Sequence, residues 1–174
     1  MRIRFWLKSW QTRRKPFGMT RPATVAAEQL EMRSLPSASA LLVGNELNIA
    51  LEGADSVRVS AIGGNLLVEL AHNGGFLTPV TTLGTVPASS IQSIVITGGD
   101  QENTIDLSNV LAVDFTSLTS LVVNGGNGDD TITGSPDFAD SLLGGDGADV
   151  IDGLGGNDTL NGGNGTDTIQ GGTG

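Results

Sequence analysis

Residues 144–170 read GGDGADVID GLGGNDTLN GGNGTDTIQ, three consecutive units of nine residues. Each unit opens on glycine, sets an aspartate sixth (Asp149, Asp158, Asp167) and a large aliphatic eighth (Ile151, Leu160, Ile169). Upstream, residues 125–133 (GGNGDDTIT) put Asp130 and Ile132 in the same places. Residues 134–143 (GSPDFADSLL) stretch to ten but keep Asp140 and Leu142. Such a return identifies an internal repeat, and the aliphatic flanked by small polar residues reads as a very short strand with one inward side chain. The glycines form the turn, where the chain needs positive φ or no Cβ. A low-complexity linker has no reason to return carboxylate and aliphatic together every nine residues.

One unit makes half a coil, so units two apart share an edge. Asp130, Asp149 and Asp167 are expected on one edge, Asp140 and Asp158 on the other. Calcium takes six to eight oxygens at about 2.3–2.6 Å, from carboxylates and backbone carbonyls alike. Turn backbone at Gly126, Gly128, Gly145, Gly147, Gly156, Gly163 and Gly165 supplies the carbonyls. The expectation is about three ions, between Asp130 and Asp149, Asp149 and Asp167, and Asp140 and Asp158. Ser135, Pro136 and Phe138 disturb the turn before Asp140. Asp129, Asp146 and Asp152 sit at variable positions and read as surface charge. No EF-hand string is present.

The pattern G-G-x-G-x-D-x-U-x, U being a large aliphatic, resembles the haemolysin-type (RTX) calcium-binding nonapeptide repeat. That resemblance implies a parallel β-roll, with the repeats acting in calcium-triggered folding. The expected fold is all-β, a β-helix-like solenoid of nonapeptide repeats preceded by irregular short strands and a disordered basic N-terminus. The expected divisions are a leader at 1–40, a β-rich region of degenerate turns at 41–123 and the roll at 124–174. Residues 171–174 (GGTG) open another unit, so a piece of a longer protein is expected.

Charge supports a cation as partner. The chain of 174 residues carries nine Lys and Arg against 19 Asp and Glu, and eight of those nine cations lie in residues 1–33. Arg58 alone serves the acidic remainder. Such a body attracts metal ions and lacks the cations that nucleic acid requires. With no cysteine, disulfides, thiol catalysis and Cys-based zinc sites are excluded. His72 beside Asn73 reads as a loop residue and has no second imidazole to join it. No G-x-S-x-G elbow or other catalytic constellation appears, so an enzyme is not expected.

In the middle region, short alternating runs flank Gly44-Asn45 and Gly63-Gly64, the second a hairpin or tight-corner signal. Residues 73–87 read as loop. Residues 93–108 (SIVITGGDQENTIDLS) echo residues 120–135 (SLVVNGGNGDDTITGS) at an offset of 27, three times nine, and indicate a degenerate turn of the same architecture. A fainter echo runs through Glu52-Gly53-Ala54-Asp55-Ser56-Val57.

At the N-terminus a basic stretch precedes Glu28-Gln29-Leu30-Glu31-Met32-Arg33-Ser34-Leu35 and the cleavable-looking run Pro36-Ser37-Ala38-Ser39-Ala40. It resembles the LEPR-XLL segment of planctomycete-type bacterial surface proteins, with Leu30, Glu31, Arg33 and Leu35 matching. Met32 stands for Pro and Pro36 for the second Leu. The resemblance implies a secreted or cell-surface bacterial protein, and no apolar run is long enough for a transmembrane helix. The function expected is calcium binding by an exported module, structural or adhesive, with cell-surface or matrix components as partners. The alternative is an accessory calcium-dependent folding or secretion module of an RTX-type enzyme or toxin. A polysaccharide-acting β-helix enzyme needs paired carboxylates that the spacing does not single out.

Overall fold

Alternation builds the strands. In β2 (Glu46–Leu51), Leu47, Ile49 and Leu51 are buried between exposed or half-buried neighbours. In β8 (Ser120–Asn127), Leu121, Val123 and Gly125 turn inward while Ser120, Val122 and Asn124 face out. A period of two with one apolar face calls for a second sheet to cover it.

The computed structural model describes residues 38–80 and 83–174. The leader reading lies outside them up to residue 37. β1 (Ala38–Val43) occupies the last three residues assigned to the leader and overlaps the small-residue run read as cleavable. No α-helix occurs among the described residues, and none is long and apolar enough to cross a membrane.

The remaining strands are β3 (Asp55–Ile62), β4 (Asn65–His72), β5 (Thr78–Pro79), β6 (Ser93–Thr97), β7 (Thr104–Asp106), β9 (Thr131–Thr133), β10 (Asp140–Asp146), β11 (Val150–Asp152), β12 (Thr159–Asn164) and β13 (Thr168–Gln170). They form two sheets, in the orders β1-β2-β6-β8-β10-β12 and β13-β11-β9-β7-β3-β4-β5. From β6 on, successive strands alternate between the sheets, and from β8 on each lies parallel to the strand two before it. The protein is all-β with parallel sheets, as in a β-roll.

Register measures the coils. Glu46 pairs with Ser93, Ser93 with Ser120, Leu121 with Asp140 and Ser141 with Thr159, advances of 47, 27, 19 and 18 residues. The 27-residue echo is therefore one coil, continuous with the repeats. The 47-residue advance is long because the β3–β4 hairpin and β5 intervene, where residues 73–87 read as loop. Gly63 and Gly64 turn that hairpin at φ +59° and +77°.

The core lies between the sheets. Its fully buried apolar residues concentrate from Leu47 to Val123, and beyond residue 123 only Ile132, Leu142 and Ile151 join them among the described residues. Residues 107–119, the return from β7 to β8, carry Leu107, Val110, Phe115 and Leu118 into this core. The repeats hence present aligned polar turns on a thin aliphatic seam, anchored to a thicker apolar block.

Candidate metal centre

The ninefold return aligns the aspartates at the turn from each strand of the first sheet to its successor in the second. There Asp130, Asp149 and Asp167 stack in a column, and the column continues upstream through Asn103 to Asp55. One oxygen of each side chain reaches back to the previous coil. The Asp55 N–H donates to Asn103 Oδ1 (3.4 Å), that of Asn103 to Asp130 Oδ1 (2.7 Å), that of Asp130 to Asp149 Oδ1 (2.8 Å) and that of Asp149 to Asp167 Oδ1 (3.1 Å). On the opposite edge the Asp140 N–H donates to Asp158 Oδ1 at 3.0 Å.

The second oxygen differs. Oδ2 of Asp130, Asp149 and Asp158 is buried and has no hydrogen-bond partner. Each faces the first glycine of its own unit, and a carbonyl of the next coil stands alongside. A Cβ on Gly125 would strike Asp130 Oδ2 and come within 2.5 Å of the Gly144 carbonyl oxygen. On Gly144 it would meet Asp149 Oδ2 and the Gly162 carbonyl, and on Gly153 Asp158 Oδ2 and the Gly171 carbonyl. These are all-oxygen cradles with no donor, a costly arrangement unless a cation completes it. The residues present fit a hard divalent ion.

Burial pushes the Asp130 carboxyl up to about 6, and the Asp149 charge adds to it against the lowering hydrogen bond from Asn103. Burial, then the charges of Asp167, Asp129 and Asp146, raise Asp149 despite the Asp130 N–H bond. Desolvated like charges of this kind are what a metal ion reverses.

Asp140 departs from the pattern. Burial pushes its carboxyl up to about 6, with Asp158 adding, but Ser135 donates to it from N–H (2.5 Å) and Oγ (2.9 and 3.0 Å). The cradle between Asp140 and the Gly153 carbonyl, expected for the 140/158 ion, thus holds a serine hydroxyl and amide. The unpartnered oxygen on this edge belongs to Asp158, facing Gly171. Asp167 makes its backward bond, and its carboxylate faces Gly162.

The turn glycines expected to offer carbonyls, Gly126, Gly128, Gly145, Gly147, Gly156, Gly163 and Gly165, all have φ between +103° and +141°. No three His, Cys, Asp or Glu side chains converge to hold a metal among the described residues, so backbone oxygens must contribute to any site. Asp129, Asp146 and Asp152 accept bonds from Ala148 N–H, Asn164 Nδ2 and Leu154 N–H, with Asp129 and Asp146 exposed.

His72 is not a loop residue. It ends β4, and its Nδ1 lies 2.6 Å from Oδ1 of buried Asp55 at the head of the column. The antiparallel β3–β4 register, which pairs Asp55 with His72, brings them together across 17 residues. The signal for Asn103 was its place opposite Asp130 in the 27-residue echo; for Ser135 it was the residue standing at the second glycine position.

The family model for the RTX calcium-binding nonapeptide repeat matches residues 122–137 and 137–169, in four copies. The segment that carries Asp130, Asp140, Asp149, Asp158 and Asp167 is thus similar to a family of calcium-binding repeats. No curated protein and no solved structure matches the chain.

Proposed function

We propose that this protein is a calcium-binding module whose β-roll repeats fold when the ions bind, with a structural or adhesive role in an exported, secreted or cell-surface setting. The observation that carries the calcium reading is the trio of buried, unpartnered oxygens, Oδ2 of Asp130, Asp149 and Asp158, each set against a glycine carbonyl of the next coil. Their number supports about three ions, two on the edge of Asp130, Asp149 and Asp167 and one at Asp158. Asp167 serves the 149 site through its coil's Gly162 carbonyl, and Asp140 contributes charge beside the ion at Asp158.

Calcium would supply positive charge and coordination demand where the chain offers only acceptors. The chain's part is to hold those acceptors in line, through the backward N–H bonds and the Cβ-free first glycines. Three buried aliphatics are too few to order this glycine-rich segment, at roughly 1–2 kcal/mol of entropy per residue. Ion binding then becomes folding free energy. Export is supported by the LEPR-XLL resemblance of residues 28–35 and by the RTX repeats.

The test is far-UV circular dichroism of the full chain, stripped with chelator and titrated with calcium, with magnesium as control. A cooperative gain of β signal with calcium only is expected. Asp149→Ala removes an orphaned oxygen and the acceptor of the Asp130 N–H, and should raise the calcium midpoint at least about tenfold. A spectrum indifferent to calcium rejects the reading.

A further inference from the structure

The two edge columns do not present orphaned oxygens throughout. Each begins with a coil in which a side-chain donor occupies the place that the cradle elsewhere leaves to a cation. We infer that Asn103 and Ser135 are built-in stops: their N–H and O–H groups replace a calcium ion and fix where the metal array begins on each edge. This rests on the calcium reading of the repeats.

The first stop is legible at Gly98, the equivalent of Gly125 and Gly144. A Cβ there would meet the Gly125 carbonyl and lie 3.1 Å from Asn103 Nδ2, where the repeats have a carboxylate Oδ2. The amide donates to the Gln101 carbonyl at 2.6 Å, and Gln101 stands where the repeats have Gly128 and Gly147. Its Oδ1 accepts the Asp55 N–H at 3.4 Å, so a flipped amide would turn oxygen toward a carbonyl and nitrogen toward an N–H. Asn103 is 2 % exposed and keeps the backward bond of the column without charge or orphaned acceptor. Upstream, Asp55 takes the Gly53 N–H at 3.2 Å and His72 Nδ1, so that coil also has donors.

The second stop is Ser135, at the position of Gly126 and Gly145. Its N–H and Oγ both serve Asp140, and the residue is fully buried. One coil later Leu154 stands in its place, no hydroxyl is offered, and Asp158 Oδ2 is an orphan. A carboxylate with a serine donor and one without are thus stacked on the same edge. Through β7 the Asn103 coil belongs to the block that carries most of the buried apolar side chains. The stops divide a block ordered without metal from repeats that need it.

Bound calcium per chain, measured by equilibrium dialysis on the full-length protein, tests this directly. Asn103→Asp should add one ion, between positions 103 and 130, and Ser135→Gly should add one at Asp140. Asp130→Asn, which moves the amide one coil downstream, should remove one. Amide exchange in chelator should find β6 and β7 protected in the native chain, and in Asn103→Asp protected only with calcium. Unchanged counts in both Asn103→Asp and Ser135→Gly overturn the inference. Loss of native β6 and β7 protection on chelation overturns it independently, even where a variant fails to fold. A native count of zero sinks the calcium reading itself, and the stops with it.

Discussion

At Asp130 one carboxylate does two things: Oδ1 holds the preceding coil through the Asn103 N–H, and Oδ2 faces the next one with nothing to bond. On the proposed calcium binding, proton and metal compete for that second oxygen. Without metal, the folded carboxyls of Asp130 and Asp140 hold protons up to about pH 6, while a free Asp releases its proton near 3.8. The folded state therefore binds more protons in that window, and its stability falls as pH rises through it. In chelator the far-UV β signal of the repeats should therefore be greater near pH 4.5 than at pH 7 and above. With saturating calcium the order should reverse, because protons displace the ion in the acid range.

At the scale of the element, the turn decides which substitutions the repeat accepts. The first glycines at 125, 134, 144 and 153 exclude a Cβ because carboxylate and carbonyl crowd them, whereas the glycines at second and fourth positions have positive φ. Leu154 breaks that rule: it occupies a second position at φ +64°, a conformation that costs a side-chain residue roughly 1–2 kcal/mol. Leu154→Gly should stabilise the calcium-loaded protein by about 0.5–1 kcal/mol after the extra entropy of glycine, read as a rise in denaturant midpoint.

The same turns show what a sequence discloses. The ninefold spacing of Asp130, Asp149 and Asp167 is enough to place them in one column, because parallel stacking maps period directly onto register. The Gly63-Gly64 hairpin is equally plain, since positive φ there needs a residue without Cβ. The role of Ser135 is hidden: a serine in a disturbed turn signals irregularity, and only coordinates show its hydroxyl on Asp140. Residues 107–119 hide as well, because Leu107, Val110, Phe115 and Leu118 follow neither the strand period nor the repeat. His72 depends on a partner that only the β3–β4 register supplies.

The whole molecule combines two kinds of stabilisation in one pair of sheets. Phe115, fully buried in the return between β7 and β8, ties the 27-residue coil to the apolar block. Phe115→Ala should cost about 3–5 kcal/mol and lower the melting temperature with or without calcium. Substitution of a repeat aspartate such as Asp149 should lower the calcium-loaded melt more than the melt in chelator, so comparing the two separates the contributions.

The coil lengths also describe how the protein bears a load. Each coil from β8 on touches only its neighbours along the stack, and the advances there are 19 and 18 residues. Tension applied at the C-terminal side peels such a stack coil by coil. Each rupture of an 18-residue coil pays out about 60 Å of chain, at roughly 3.4 Å per extended residue. The coils of 47 and 27 residues share one interior and yield together, late and over a longer distance. On the proposed calcium binding, the ion concentration should set the force at which the short steps begin, so the surrounding medium would adjust how stiffly the repeats resist extension.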